Sequence, residues 1–229
     1  MGGSSGKLIS KAGNMSLLHN PEVKTESATF GMGCFWGCDS YYGAKMGVIR
    51  TKVGYAGGKF KDPTYRNLGD HTEVIQVDFD PKIISYSEIL KGFWENHDPT
   101  FRTKAQYTSL ILYHSPQQKE VAESTKKTQQ EIISREVITR VEPASEFYDA
   151  EDYHQKYRLQ QHKDLCSSLG LKGDLFKTSH VAARINGYIM GQASLKQFEE
   201  EAPKLGLSTE ITDYVRKYVI KMEGSGFSC

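Results

Sequence analysis

One segment near the start of the chain, residues 27–38, constrains the fold most, because it predicts a strand that turns into a helix at a cysteine. The apolar run 27–30 favours a strand, and a helix can begin at Phe35. Cys34 would then lie at the helix N-terminus, where unpaired backbone N–H groups and the helix dipole favour a thiolate. A buried structural cysteine is the alternative interpretation. The glycines around Cys34 and the aromatic pair after it favour a reactive thiol that another molecule can approach closely.

Strand and helix patterns continue to about residue 141. We predict strands at 48–55, 73–80, 107–114 and 137–141, and helices at 35–45, 87–96 (with Ser87 as its cap) and 115–134. This order predicts an α/β protein, more narrowly α+β. We expect a two-layer sandwich in which a mixed sheet of the split β-α-β, or ferredoxin-like, kind packs against helices.

The strand at 73–80 places a carboxylate on its apolar face. Glu73, Ile75, Val77 and Phe79 recur at every second position and therefore share one side of the strand. Burial disfavours the charged form, so a buried Glu73 would have a raised pKa and keep a proton near neutral pH. Such a carboxylic acid can donate a proton to a leaving oxygen. A glutamate that reaches back to water from the strand end explains the pattern equally well.

Composition divides the chain into three parts. Residues 1–25 are polar and rich in glycine and serine, which predicts a flexible leader, partly an expression artefact, with Met15 as the expected native start. Residues 26–168 carry the strand and helix patterns. Residues 169–229 predict a helical extension that ends in a mobile tail with Cys229 at its tip.

The charge balance excludes several classes of partner. With 29 basic and 28 acidic residues, the net charge of +1 gives no attraction to nucleic acid or to an anionic membrane surface. No apolar run has the length of a membrane span, and no signal peptide is recognisable. Without a secretory signal we expect a reducing compartment, the cytoplasm or another one. We also expect a monomer.

The four cysteines, Cys34, Cys38, Cys166 and Cys229, favour redox chemistry over a structural framework or a metal site. Cys34 and Cys38 have the one-turn spacing of zinc ligands, but no second close pair of cysteines or histidines lies near Cys166 or Cys229. His154 also has no partner histidine one turn away, and we interpret it as a helix-surface or packing residue. The sequence predicts no metal ion and no cofactor.

The cysteine motif is also the first of several blocks that resemble one protein family. The run Gly33-Cys34-Phe35-Trp36-Gly37 is similar to the signature of the peptide methionine sulfoxide reductase A family. Six further blocks follow in family order, at residues 54–58, 63–66, 71–73, 93–99, 106–107 and 150–157. The resemblance makes residues 26–168 the expected catalytic domain. The C-terminal extension resembles that of some animal, insect-like members.

The resemblance implies a sandwich fold and an enzyme that reduces the S epimer of methionine sulfoxide, free or in proteins, and so repairs oxidised proteins. By position in the motif, Cys34 would attack the sulfoxide sulfur. Gly33, Phe35 and Trp36 would line a pocket for the substrate methyl group, a role that suits an apolar concave wall.

The same resemblance assigns the groups that act on the sulfoxide oxygen. Glu73 matches the family's acid, and Tyr65 and Tyr107 match two phenols that hydrogen-bond the oxygen. An oxygen leaves only if it gains a proton while sulfur is attacked, so a thiolate and a neutral acid must coexist. The position of Glu73 on an apolar strand face agrees with this assignment.

The resemblance also implies how the enzyme is recycled. The product on Cys34 would be a sulfenic acid, which condenses with a second thiol to a disulfide. By family spacing that thiol is Cys166, nine residues after Tyr157 and in a stretch that we expect to be a loop. Cys229 would exchange with this disulfide and pass it to thioredoxin or another dithiol. Cys38, four helical residues from Cys34, would close only a strained bond and is expected to be a packed bystander.

Three features depart from the family pattern. The loop at 100–105, before Tyr107, is short and basic, whereas many members have a longer loop with an aspartate near the substrate. Asp70 stands before His71, where many members have glycine. The helical extension replaces a glycine-rich tail.

Two other functions are open at this point. A thiol peroxidase also forms a sulfenic acid, but it leaves the aromatic pair of Phe35 and Trp36 unexplained. A module that only binds exposed methionines would not need Cys34, Glu73 and both tyrosines together.

Overall fold

The computed structural model describes residues 16–226. The described strands form one six-stranded sheet, with the bounds β1 Glu26–Gly31, β2 Val48–Ala56, β3 Thr72–Phe79, β4 Leu110–Tyr113, β5 Arg140–Pro143 and β6 Tyr148–Asp149. The strand order is β5-β4-β1-β3-β2-β6. Neighbouring strands are antiparallel except β4 and β5, which run parallel. The predicted mixed sheet is confirmed.

The helices follow the predicted alternation with the strands. Their bounds are α1 Phe35–Gly43, α2 Tyr86–Glu95, α3 Pro116–Ile132, α4 Tyr157–Gln160, α5 Lys163–Ser168, α6 Leu175–Thr178, α7 His180–Tyr188, α8 Leu195–Glu201 and α9 Thr209–Met222, with short 3-10 helices at Ala105–Tyr107 and Asp152–His154. Apart from the first 3-10 helix, the chain begins β1-α1-β2-β3-α2-β4, and these four strands stand side by side as β4-β1-β3-β2. This is the ferredoxin-like arrangement, so the predicted α+β class is confirmed.

The main hydrophobic core lies between the central strands and the helices α1 and α2. Phe30 of β1 is fully buried, and its ring centroid lies 5.3 Å from that of Phe93 and 5.8 Å from that of Tyr42. Ile75 and Val77 of β3 belong to the same cluster. The alternation in the sequence therefore identified the face of β3 that joins this core.

The start of α2 differs from the prediction by two residues. Ser85, and not Ser87, is the N-cap, because its hydroxyl accepts the backbone N–H of Glu88 at 3.2 Å. The Glu88 carboxylate in turn accepts the backbone N–H of Ser85 at 2.9 Å. This reciprocal capping box fixes where the helix begins.

Two strands of the sheet, β4 and β5, begin later than predicted. β4 begins at Leu110 because the 3-10 helix Ala105–Tyr107 precedes it. β5 begins at Arg140, since the backbone N–H of Val137 donates to the side-chain oxygen of Gln130 at 2.8 Å and not to a neighbouring strand. A helix side chain thus competes with the sheet for this segment.

The C-terminal extension folds back onto α1. Helix α7 lies so close to α1 that a Cβ placed on Gly43 would clash with the carbonyl oxygen of Ala183. The buried guanidinium of Arg184 donates to the carbonyl oxygens of Gly43 and Lys45, at 2.7 and 2.6 Å, and pairs with Glu201 at 2.8 Å. Arg184 therefore satisfies carbonyl groups at the C-terminal end of α1.

A second hydrophobic cluster fills the extension, where Val181, Phe198 and Val215 are fully buried. Residues 16–19, which the composition assigned to the leader, lie against this cluster. The backbone N–H of Val181 donates to the carbonyl oxygen of Leu18 at 3.1 Å. The extension and the start of the described chain are therefore packed together.

Within residues 16–226, no helix is both long and apolar enough to cross a membrane. Residues 227–229 lie outside the described part of the chain, and so does the predicted tail thiol Cys229.

Candidate active site

Cys34 lies where the sequence predicted it, directly before the first residue of α1. It is the N-cap residue, with φ −62° and ψ 122°, and it is half-buried. Gly33 has φ 92°, a conformation that strains any residue with a Cβ, and beyond Gly33 and its two chain neighbours no described atom lies within 4 Å of the position of such a Cβ. The chain bends at Gly33 and leaves the space beside Cys34 open.

Glu73 is buried against the start of α1, with 2% of its surface exposed. Its Oε2 accepts the backbone N–H of Phe35 at 3.2 Å, and its Oε1 accepts the side-chain amide of Gln106 at 2.6 Å. Burial raises the pKa of Glu73, and these two hydrogen bonds and the charge of Lys104 offset that rise only in part. Of the two sequence interpretations, burial is the correct one, and it favours a protonated carboxyl next to Cys34.

The two tyrosines named by the resemblance lie near these groups. The pKa of Tyr107 is raised to about 12, first by burial and then by Glu73, Tyr65 and Cys34. Tyr65 is 39% exposed, so its ring is accessible to a ligand. Four side chains from four separate segments of the chain therefore meet in one place.

The indole of Trp36 is held from two sides. Its Nε1–H donates to Nδ1 of His154 at 3.0 Å, and its ring stacks on Tyr157 with centroids 3.8 Å apart and planes 7° apart. Phe35 is only 1% exposed and packs against Tyr55 and His154. The half-buried Trp36 therefore presents the accessible part of this aromatic wall, while Phe35 belongs mainly to the core.

His154 packs within this wall and is almost fully buried. Because Nδ1 accepts the Trp36 hydrogen bond, the ring proton belongs on Nε2, which has no hydrogen-bond partner among the described residues. Glu151 Oε2 lies 3.8 Å from Nε2. Burial lowers the pKa of His154, so the ring stays neutral and keeps its bond to Trp36.

Glu151 fixes the segment that carries Tyr65. Its Oε1 accepts the backbone N–H of Tyr65 at 2.9 Å, and its Oε2 accepts the hydroxyl of Tyr55 at 2.7 Å. Burial acts to raise the pKa of Glu151, but these hydrogen bonds lower it overall. The ionised carboxylate thus ties the Tyr65 loop to the strand β2.

Cys166 does not lie in a loop, and this prediction is wrong. It lies in α5, where it is 8% exposed and part of the second hydrophobic cluster. Its Sγ–H donates to the carbonyl oxygen of Leu159 at 3.2 Å, and burial raises the pKa of the thiol to about 11. The neighbouring Leu165 and Leu169 explain the difference, because they give this short helix an apolar face that packs against the extension.

Cys38 is buried, and its Sγ–H donates to the carbonyl oxygen of Cys34 at 3.3 Å. Burial raises the pKa of the Cys38 thiol well above its usual value. No disulfide joins Cys34, Cys38 and Cys166 to one another. Between residues 16 and 226, no group of three or more His, Cys, Asp or Glu side chains is placed to hold a metal ion.

A cavity of about 470 Å³ opens beside Cys34. Tyr107 and the residues that follow α2 line it, among them Asp98 and Phe101. The short loop contains no acid, as the sequence indicated, yet Asp98 brings a carboxylate to the cavity wall. That carboxylate is bound to Arg135 at 2.9 Å.

Asp70, the second departure from the family pattern, holds the loop before β3. Its carboxylate accepts the backbone N–H groups of Phe60 and Lys59, each at 2.9 Å, and these bonds lower the pKa of Asp70. His71 bonds to the carbonyl oxygen of Phe60 at 2.8 Å from the same side. The turn that leads to Glu73 is therefore well anchored with aspartate at this position.

Gln106, Glu151 and Tyr157 also belong to the site, but sequence reasoning assigned them no role. Gln106 lies 33 residues from its partner Glu73, and Glu151 lies 86 residues from Tyr65. No local pattern marks contacts over such separations. Membership in the family blocks was the available signal.

Comparisons with known proteins agree on one family. The family model described as peptide methionine sulfoxide reductase matches residues 26–200. A peptide methionine sulfoxide reductase of Drosophila melanogaster is 50% identical over 219 residues, which cover 94% of this chain and 89% of the relative. A peptide methionine sulfoxide reductase of Methanosarcina acetivorans is 40% identical over 153 residues, which cover 62% of this chain and 81% of the relative.

The fold and the extension agree with these matches. The crystal structure of reduced Mxr1 from Saccharomyces cerevisiae is similar, with a TM-score of 0.58 and 30% identity over 64% of this chain and 91% of that chain. The Drosophila alignment is long enough to include most of the extension, which agrees with the insect-like resemblance. The chain belongs to the peptide methionine sulfoxide reductase family.

Proposed function

We propose that residues 26–168 are the catalytic domain of a thiol-dependent reductase of methionine-S-sulfoxide, free and in proteins, with Cys34 as the nucleophile. The observation that supports this most is the buried Glu73, whose Oε2 is bound to the first N–H of the helix that presents Cys34. A thiolate and a neutral acid at one pocket are what the removal of a sulfoxide oxygen requires. The biological outcome is the repair of oxidised proteins.

In the first step, the Cys34 thiolate attacks the sulfoxide sulfur while Glu73 gives its proton to the sulfoxide oxygen. The oxygen ends on Cys34 as a sulfenic acid, and the substrate leaves as methionine. The substrate sulfur gains two electrons and the Cys34 sulfur loses two, so the step needs no cofactor.

The other side chains of the site orient the sulfoxide. The phenols of Tyr65 and Tyr107 donate hydrogen bonds to its oxygen, and a pKa of about 12, raised first by burial, keeps Tyr107 protonated. The methyl group lies against Trp36, with Phe35 packed in the same wall, and Gly33 leaves the approach to Cys34 open. Three different contacts around one sulfur distinguish its two epimers.

This selectivity gives a direct test of the proposal. With dithiothreitol, the wild-type protein should reduce N-acetyl-methionine-S-sulfoxide at least about a hundredfold faster than the R epimer, because the R epimer exchanges a polar and an apolar contact. Chromatography of the methionine product from each epimer measures the ratio. Equal rates would contradict the proposed pocket, and turnover of hydrogen peroxide without sulfoxide reduction would indicate a thiol peroxidase instead.

We propose Cys166 as the thiol that resolves the sulfenic acid. In this step an S–S bond forms, the S–O bond of Cys34 breaks, and water leaves. Because the Cys166 thiol is buried and bonded to Leu159, and burial raises its pKa to about 11, α5 must open before the thiol can react. Opening also returns the thiol to water, where its ordinary pKa applies.

Peptide mapping tests this assignment. After reaction with one equivalent of substrate, the protein should contain a disulfide between Cys34 and Cys166. A Cys166→Ser variant should still release one methionine per enzyme and then hold a sulfenic acid that dimedone traps, whereas Cys38→Ser should form the same disulfide as the wild type. A bridge between Cys34 and Cys38 would contradict the assignment.

The proposed reductant is thioredoxin or another dithiol. Cys229 would exchange with the disulfide of Cys166 and carry it to the surface by ordinary thiolate attack. The burial of Cys166 in α5 supports the need for such a relay. We further propose a monomer in the cytoplasm, whose reducing environment suits four cysteines.

A further inference from the structure

The cavity beside Cys34 is larger than the proposed reaction needs. Its volume of about 470 Å³ lies within the roughly 300–1,000 Å³ that is usual for ligand pockets. Gly33 and Tyr107 line both the cavity and the proposed sulfoxide site, whereas Trp36 and Glu73, which we assign to the methyl group and the oxygen of the sulfoxide, do not line the cavity. The cavity therefore adjoins the reaction centre at Cys34 but extends away from it.

The short loop at 100–105 shapes the outer part of this cavity. The backbone N–H of Phe101 donates to the carbonyl oxygen of Asp98 at 3.2 Å, and Arg102 pairs with Glu136 at 2.6 Å. The first contact closes the turn after Asp98, and the second is an exposed ion pair on the loop. Phe101 nevertheless remains 63% exposed while it lines the cavity, which leaves an apolar ring open to a ligand.

The inner wall offers little hydrogen bonding to a ligand, because its polar groups bond to one another. His97 Nδ1 bonds to the carbonyl oxygen of Phe93, and its Nε2 bonds to the hydroxyl of Ser109, both at 2.7 Å. The Ser109 hydroxyl also bonds to that of Thr139 at 2.7 Å. Burial lowers the pKa of His97 to about 4, so this wall is uncharged at neutral pH.

The carboxylate of Asp98 is likewise already hydrogen-bonded to other groups of the protein. Its Oδ1 accepts the N–H and the hydroxyl of Thr100, at 2.9 and 2.6 Å, and its Oδ2 accepts Arg135 at 2.9 Å. With the polar groups of His97, Ser109 and Asp98 paired, the apolar surface of the cavity comes from Met32, Phe101 and the ring of Tyr107, and Thr103 lines it as well. A cavity of this kind favours an apolar occupant.

We propose that this cavity is a second substrate subsite, which binds a large apolar side chain on the residue next to the methionine sulfoxide in an oxidised polypeptide. The inference rests on the proposed function, because Cys34 at the cavity edge fixes where the sulfoxide lies. In an extended peptide, successive side chains point in opposite directions, so one reaches the Trp36 wall while its neighbour turns towards Phe101. Burial of that neighbour adds apolar contact that free methionine sulfoxide cannot make.

The test compares peptides that differ in this neighbour. Three of the substrates are N-acetylated, C-terminally amidated tetrapeptides with methionine-S-sulfoxide at position three. One has phenylalanine directly before the sulfoxide residue, one has phenylalanine directly after it, and one has glycine at both places. The fourth substrate is N-acetyl-methionine-S-sulfoxide. For the wild-type protein, kcat/KM of the better phenylalanine peptide should exceed that of the glycine peptide by about tenfold, through a lower KM. Phe101→Ser should remove most of this advantage and leave kcat/KM for N-acetyl-methionine-S-sulfoxide unchanged.

Ile220→Ser is the matched control, since Ile220 is another exposed apolar residue, 56% exposed, on α9 of the extension. It should keep the full preference. Equal kcat/KM values for the wild type on all three peptides would overturn the subsite, as would an equal loss on every substrate in Phe101→Ser. Failure of the proposed function gives a different result, because the wild-type protein would then reduce none of the substrates.

Discussion

Replacement of Cys34 by serine should lower sulfoxide reduction with dithiothreitol by at least about 10⁴-fold, the scale on which enzymes lose activity without their nucleophile. A serine hydroxyl at the N-cap of α1 remains protonated at neutral pH and is a poor nucleophile for sulfur. It also cannot accept the oxygen as a sulfenic acid. Chromatographic detection of methionine from the S epimer over hours would measure the residual rate.

Cys38→Ser is the matched control for this result. It makes the same atomic change one helical turn later, and the serine hydroxyl can still donate to the carbonyl oxygen of Cys34 as the thiol does. This variant should retain activity and heat stability close to the wild type. If Cys34→Ser kept wild-type turnover, the nucleophile assignment would be wrong. If both variants lost activity together, the cause would lie in the packing of α1.

Features that depend on neighbours along the chain could be predicted from the sequence. The bend at Gly33, the start of α1 at Phe35 and the buried face of β3 follow from glycine conformation and from a two-residue period. The period placed Glu73 on an apolar face without settling whether it turns back to water. The structure settles this point, because Phe35 and Gln106 supply hydrogen bonds that hold the carboxyl inside.

Features that depend on distant contacts could not be predicted. A polar stretch around Cys166 was expected to be a loop, yet the extension supplies an apolar partner that buries it as a helix. The extension also supplies Arg184, whose guanidinium binds carbonyl oxygens 139 and 141 residues away, at the end of the helix that presents Cys34. Such pairings follow from tertiary packing, which overrides local propensity.

Glu73→Gln should slow the first chemical step by about a hundredfold or more, the usual contribution of a positioned general acid. Glutamine has the shape of glutamic acid but has no acidic proton to deliver. The neighbouring Gln106 can rotate its amide and accept where it now donates, so the hydrogen bond at 2.6 Å can be kept in the variant. A single-turnover burst of methionine, followed by rapid quenching, isolates this step from recycling.

The pH dependence of the burst should separate the acid from the nucleophile. Burial raises the pKa of Glu73, so the carboxyl keeps its proton to a higher pH than an exposed glutamate does and loses it as the pH rises through that raised value. The wild-type burst rate should therefore rise as Cys34 ionises and fall again at higher pH. The pKa of Tyr107, raised to about 12 first by burial, lies too high to cause this fall.

In Glu73→Gln the fall of the burst rate at alkaline pH should disappear, because the variant has lost the carboxyl whose deprotonation causes it. The rise from acidic pH should remain, because the variant keeps Cys34. Glu123→Gln, which changes an exposed carboxylate on α3, is the matched control. It should keep the wild-type burst rate, with both its rise and its fall as the pH increases. A Glu73→Gln burst as fast as the wild type would refute the acid role. A slow burst that still falls at alkaline pH would assign that fall to a group other than Glu73. The sulfoxide oxygen would then receive its proton from that other group, and Glu73 would be a positioning residue.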